Sequence, residues 1–314
     1  MDSLLFSFNA TIPVFLMMVL GMLLRKLGWM SEEFASQLNR FVFMLPLPVL
    51  LFQDLATVDF LEVWNFSFVA FCFVVTLISI LIAMIISKFL KDKSIQGEFI
   101  QATYRSSAAL LGVALIQNMY GSSTMGPLMI IGSVPLYNIF AVIILSFYQP
   151  HGDGVNRDLL KKTCLGIFKN PIIIGIAVGF LWSLCSLPMP TILSKSVSYV
   201  ANMATPLGLI AMGASFRLDK AISQIKPAFL ASFFKLFGFC FLFLPLAIIL
   251  GFRQEQLIAI LVMLGSASTV TCYVMAKNMG HAGVLSSNVV MLTTLLSGFS
   301  LTFWIWVLRV LSFI

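Results

Sequence analysis

The chain has 314 residues, of which 60% are apolar and 10% charged, with a mean hydropathy of +1.03, far outside soluble globular usage. Thirty Phe and seventeen Met spread over many separate apolar runs point to an all-α polytopic membrane protein, with no strand alternation of β-barrel type. The net charge of +7 lies in short loops without a basic block, which speaks against nucleic acid; Cys72, Cys164, Cys185, Cys240 and Cys272 show no paired spacing, so neither disulfides nor a metal site is expected.

The N-terminus carries Asp2 and no basic n-region, so the first apolar run reads as a retained helix rather than a cleaved signal. A spanning helix needs about 20 apolar residues. Ten such runs are expected, at 4–24, 34–55, 61–89, 99–119, 125–148, 164–187, 197–216, 227–251, 256–277 and 284–311. The longest polar interruption, 149–162, separates five from five, giving a first repeat over 1–148, a cytoplasmic linker over 149–163 and a second repeat over 164–314.

Loop charge sets the orientation. With the N-terminus outside, the inner loops hold Arg25, Lys26, Lys88, Lys91, Lys93, Arg157, Lys161, Lys162, Lys169, Arg217, Lys220, Lys226 and Lys277, thirteen against three outside (Lys195, Arg253 and Arg309). Both termini are therefore expected on the extracytoplasmic side of the cell (inner) membrane, and the second half must enter the bilayer inverted. An offset of 160 residues supports this: Pro46 falls on Pro206, Ser106 on Ser266, Asn118 on Asn278 and Met119 on Met279.

The fourth and ninth runs are the candidates for interrupted, crossing helices. Arg105-Ser106-Ser107 with Gly112 marks the first, and Gly265-Ser266-Ala267-Ser268-Thr269-Val270-Thr271 the second. Such an interruption is tolerated only where the freed backbone faces protein or a water-filled cavity. The other reading of the small hydroxyl residues is close helix packing. Pro46, Pro48, Pro135 and Pro206 are further expected breaks or hinges.

At these residues the chain resembles the auxin efflux carrier family, in the short bacterial form of malate or malonate permeases. The resemblance covers the whole chain. It rests on Leu38-Asn39-Arg40 leading into Pro46-Leu47-Pro48, Asn170-Pro171 opening the sixth run, Thr205-Pro206-Leu207 and Gly213-Ala214-Ser215 in the seventh, and Thr293-Thr294-Leu295-Leu296-Ser297 in the last. Ser107 stands where the family usually has Asn, Ala114 where it has Pro, and the ninth run lacks the usual Pro near Ser268 and Thr269. The resemblance implies a central substrate site at crossing fourth and ninth helices, a mobile bundle on a separate scaffold, and a homodimer.

The expected site comprises Arg105, Ser106, Ser107, Asn138, Ser266, Ser268, Thr269 and Thr271. An arginine inside a span needs a partner. Arg105 either binds a substrate carboxylate or pairs with Glu98, seven residues earlier. Asn138 either orients a ligand or satisfies a carbonyl freed by Pro135. Arg40 reads as snorkelling or paired with Glu33, Lys235 as snorkelling, and His281 as a solvated loop residue. Asp54, Asp59, Glu62 and Glu98 are the acids closest to membrane depth, and no carboxylate relay is evident. No phosphate loop, ligand cluster or nucleophile–base set appears, so no enzyme and no cofactor is expected. The expected function is secondary transport of a small organic anion, a mono- or dicarboxylate, by alternating access. A sodium-coupled, bile-acid-symporter-like carrier and a channel-like facilitator are the alternatives.

Overall fold

The computed structural model describes residues 13, 16–56, 65–108, 113–120, 125–149, 169–216 and 222–314, and these are helical apart from short connections. In chain order the helices are α1 (16–26), α2 (Glu32–Met44), α3 (Pro46–Ala56), α4 (Phe66–Ser87), α5 (Gln96–Tyr104), α6 (Val113–Tyr120) and α7 (Met125–Phe147). There follow α8 (Pro171–Leu184), α9 (Thr191–Asn202), α10 (Ala204–Ser215), α11 (Ile225–Phe233), α12 (Phe239–Ile249), α13 (Gln254–Gly265), α14 (Thr271–Asn278) and α15 (Val284–Val310). Six stretches among the described residues are long and apolar enough to cross a membrane: Glu32–Ala56, Phe66–Ser87, Met125–Phe147, Thr191–Ser215, Ile225–Ile249 and Val284–Val310. The chain is a multi-pass helical protein. The expected linker at 149–163 and the expected hinge Gly112 lie almost wholly or wholly outside the described residues.

Local chemistry fixes several helix starts. A side-chain oxygen accepts an otherwise orphaned N–H of the first turn. Ser31 does this for Phe34 at 3.0 Å, Asn65 for Phe68 at 3.1 Å and Asn170 for Ile172 at 2.9 Å. Pro171 then occupies the first helical position, where its missing N–H costs nothing. This is the physical content of the Asn-Pro pair.

The prolines divide into two kinds. Leu45, forced out of the helical region by the proline that follows it, separates α2 from α3. Pro46 and Pro48 then sit in the first turn of α3, where helix N–H groups have no internal acceptor. Met203, which keeps helical angles (φ −75°, ψ −21°), separates α9 from α10, and Pro206 lies in the first turn of α10. Pro135, by contrast, lies inside α7 and does not end it. The expected break there is corrected: the helix runs unbroken from Met125 to Phe147.

The helices pack in two groups. In one, α1, α2, α3, α8, α9 and α10 pack together; α10 lies against α2, and α3 against α8 and α9. Gly213 permits the closest approach in it, since a Cβ there would collide with the Met18 carbonyl of α1. The other group joins α4–α7 with α11–α15. The groups meet chiefly through α14 against α2 and α10, and through α7 against α8.

Candidate functional site

Two short helix pairs build the site. α5 stops at Tyr104 because Arg105 turns extended (φ −71°, ψ 139°), and the next α-helix among the described residues is α6, described from Val113. α13 stops at Gly265 because Ser266 turns extended (φ −78°, ψ 166°), and helix resumes at Thr271 as α14. The two interruptions meet backbone to backbone, where the Ser107 N–H donates to the Ala267 carbonyl at 2.9 Å. A side-chain tie reinforces the junction: the Gln101 amide donates to the Cys272 carbonyl at 2.8 Å.

The last carbonyls of α13 point where no helix follows, so they need outside donors. Lys235 supplies them. It is fully buried in a single π-helical stretch, Phe234–Gly238, between α11 and α12, a rare geometry that offsets the side chain from the regular helix rows. Its ammonium donates to the Leu264 carbonyl at 2.6 Å, to the Met263 carbonyl at 3.4 Å and to the Ser106 hydroxyl. The Ser106 hydroxyl in turn donates to the Met263 carbonyl, which also accepts from the Tyr137 hydroxyl at 3.2 Å. A cation at the negative end of α13 is stabilised by the helix dipole as well. Gly265 makes the approach possible, because a Cβ there would lie 2.6 Å from Cys240 Sγ.

Arg105 is 3% exposed and has no carboxylate partner among the described residues. Its guanidinium donates to Asn138 Oδ1 at 2.7 Å and to Met275 Sδ at 2.9 Å, while Nε finds no acceptor. Asn138 is held in turn by donating to the Val134 carbonyl at 2.9 Å. A cavity of about 110 Å³ opens in front of this pair. Its polar wall is Arg105, Ser106, Ser107, Tyr137, Asn138, Thr205, Thr269, Thr271 and Asp54; its apolar wall includes Leu47, Leu50, Leu51, Val134, Val270 and Val274. The Thr269 and Thr271 hydroxyls are 3.2 Å apart.

A family model described as "Membrane transport protein" matches residues 6–305. The chain belongs to that family. It includes auxin efflux carriers and malate permeases. No curated protein matches the chain.

Of the eight expected site residues, Arg105, Ser106, Ser107, Asn138, Thr269 and Thr271 line the cavity and Ser266 and Ser268 do not. Ser266 is fully buried with its hydroxyl unpaired, and Ser268 points into packing, its N–H donating to Thr293 Oγ1 at 3.0 Å and its hydroxyl 3.4 Å from Cys272 Sγ. Three expectations about charge are corrected. Glu98 does not pair with Arg105: its carboxylate accepts the Gly283 and Ser286 N–H groups at 2.8 and 2.9 Å, capping α15. Lys235 does not snorkel, because carbonyl partners hold it in the interior. His281 is not solvated; it is 3% exposed and its Nε2 donates to the Leu145 carbonyl at 2.9 Å. Asn138 proves to hold Arg105 rather than a carbonyl freed by Pro135. Arg40 is exposed.

Proposed function

We propose that this membrane transport protein is a secondary carrier of a small organic anion, a mono- or dicarboxylate, taken up at the cavity between the α5–α6 and α13–α14 interruptions. The carrying observation is Arg105, a buried guanidinium on the cavity wall whose partners among the described residues are an amide oxygen and a thioether. A permanent charge at membrane depth calls for a counter-charge, and a planar guanidinium matches a carboxylate with two donors. The remaining wall suits the rest of such a molecule: hydroxyls for a second polar group and Leu and Val side chains for a short carbon chain. The small volume favours an acid of a few carbons over a bulky aromatic one.

The same geometry weighs against sodium at the crossing. The last-turn carbonyls of Met263 and Leu264, which would surround such an ion, accept from the Lys235 ammonium instead. In our reading each short pair, α5–α6 and α13–α14, makes one membrane crossing, since each member alone falls short of about 20 residues. The whole then comprises ten crossings as a five-plus-five inverted repeat, with both termini extracytoplasmic, a second copy as partner, and alternating access between the two helix groups.

A thermal-shift screen of the purified protein against carboxylates, auxin-like aromatic acids and sodium tests the substrate class. A true ligand at a hundred times its Kd adds about 2.7 kcal/mol of stability. Small carboxylates are expected to raise the melting temperature, and Arg105→Gln to abolish that rise; an unchanged response in the variant refutes the role given to Arg105. Saturable counterflow of labelled malate in proteoliposomes separates a carrier from a channel.

A further inference from the structure

The cavity has an acidic group as well as a basic one, and the carboxylate is not the cation's partner. Asp54 lies near the end of α3, one, one and two turns beyond Leu51, Leu50 and Leu47, so all four share one helix face, and all four line the cavity. Arg25 pairs with Glu32 instead, both side chains exposed. Asp54 is half-buried and makes no ion pair within the described residues. Its neighbour Gln53 points elsewhere, donating to Ser198 Oγ on α9 at 2.8 Å.

We propose that Asp54 is the proton-binding group of this site, so that the anion and one proton occupy the cavity together and the carrier moves them as a pair. The proposal rests on the organic-anion reading above. An ionised Asp54 and an anion held at Arg105 would share one small cavity of low polarity, where like charges repel strongly. Protonating Asp54 removes that repulsion, and linkage is reciprocal: a bound anion makes Asp54 hold its proton more firmly. Among the described residues no other group on the packed elements takes this part. α8 and α10 present no ionisable side chain; Lys195 and Tyr199 on α9 are exposed, and so are Glu32, Glu33 and Arg40 on α2. Across the cavity stand Arg105 and the Tyr137 hydroxyl, the latter donating to the Met263 carbonyl, with Lys235 behind Ser106. Asp59 and Glu62, next along the chain, lie outside the described residues. The sign follows: raising pH ionises Asp54 and weakens anion binding.

The test uses malate as probe between about pH 6 and 8, where the free dicarboxylate is already largely ionised. In proteoliposomes holding a pH dye, malate uptake by the unaltered protein is expected to acidify the lumen. Its malate affinity is expected to fall with rising pH, by at most about tenfold per unit, the limit for one linked proton. Asp54→Asn is expected to bind malate at pH 8 as tightly as the unaltered protein does at pH 6, with no pH dependence and no proton movement. Tight binding at pH 8 cannot come from a misfolded variant. Proton movement or an unchanged pH slope in Asp54→Asn overturns the proposal, as does uptake driven by a sodium gradient alone. Malate binding that is pH-independent in the unaltered protein overturns it too, while leaving the anion reading standing. Failure of every carboxylate to bind at any pH removes both.

Discussion

A lysine ammonium has three donors, and Lys235 finds three acceptors without a carboxylate among them: the Ser106 hydroxyl and the carbonyls of Met263 and Leu264. Burying a charge this way costs desolvation, which the carbonyl dipoles and the α13 terminus offset. Lys235→Met keeps most of the volume and removes the donors, so at least one terminal carbonyl is left without a partner. Each orphaned buried acceptor costs about 1–3 kcal/mol. The variant is therefore expected to melt earlier in detergent, and an unchanged melting curve would refute the capping role. Neither this lysine nor His281 was legible from the sequence, because their partners are distant backbone carbonyls. Lys235 bonds 28 and 29 residues away and His281 bonds 136 residues away, so nothing beside either residue in the chain marks it. Arg105 was legible, since a guanidinium next to two serines in an apolar run has no bland local explanation. Asp54 was visible as an acid near membrane depth, but only the packing of α3 shows which way it faces.

At the scale of elements, the two interruptions announced themselves through hydroxyl and glycine density, because those residues satisfy or expose backbone where a helix cannot continue. What the sequence did not show is how the broken pieces are held. Glu98 on α5 caps α15 by accepting the N–H groups of Gly283 and Ser286, and so ties the first short helix to the last long one across 185 and 188 residues. A carboxylate at a helix N-terminus gains from charge-assisted bonds and from the dipole. Glu98→Gln keeps the shape and loses the charge; a loss of about 0.5–2 kcal/mol is expected, the range for a helix cap. Hydrogen exchange resolves the site: the Gly283 and Ser286 amides should exchange faster in the variant, while those of α4 do not. Uniform change across the protein would count against a local cap. Reading Glu98 as Arg105's partner failed because a spacing of seven aligns two residues only while the helix continues. α5 ends at Tyr104, and Arg105 leaves its face.

At the scale of the molecule, the two helix groups are the parts that the proposed alternating access would move, and their contacts differ in kind. Within the first group the packing is intimate: Gly213 admits the Met18 backbone, and Gln53 reaches Ser198. Between the groups the polar contacts include the Asn278 side chain, donating to the Asn39 carbonyl at 3.3 Å where α14 meets α2. If the groups move against each other, a covalent bond across this contact must stop transport, and a bond inside one group must not. The paired variant Asn39→Cys with Asn278→Cys, with Cys164 and Cys185 replaced to remove competing thiols, is therefore expected to lose malate uptake on oxidation and recover it with a reductant. The pair Gln53→Cys with Ser198→Cys, both within the first group, should keep its uptake when bridged. Because each pair is compared with itself before and after reduction, a folding defect in either variant cannot imitate the result. Uptake that survives a complete bridge between residues 39 and 278 would mean that the moving boundary lies elsewhere, and the two-group mechanism would have to be redrawn.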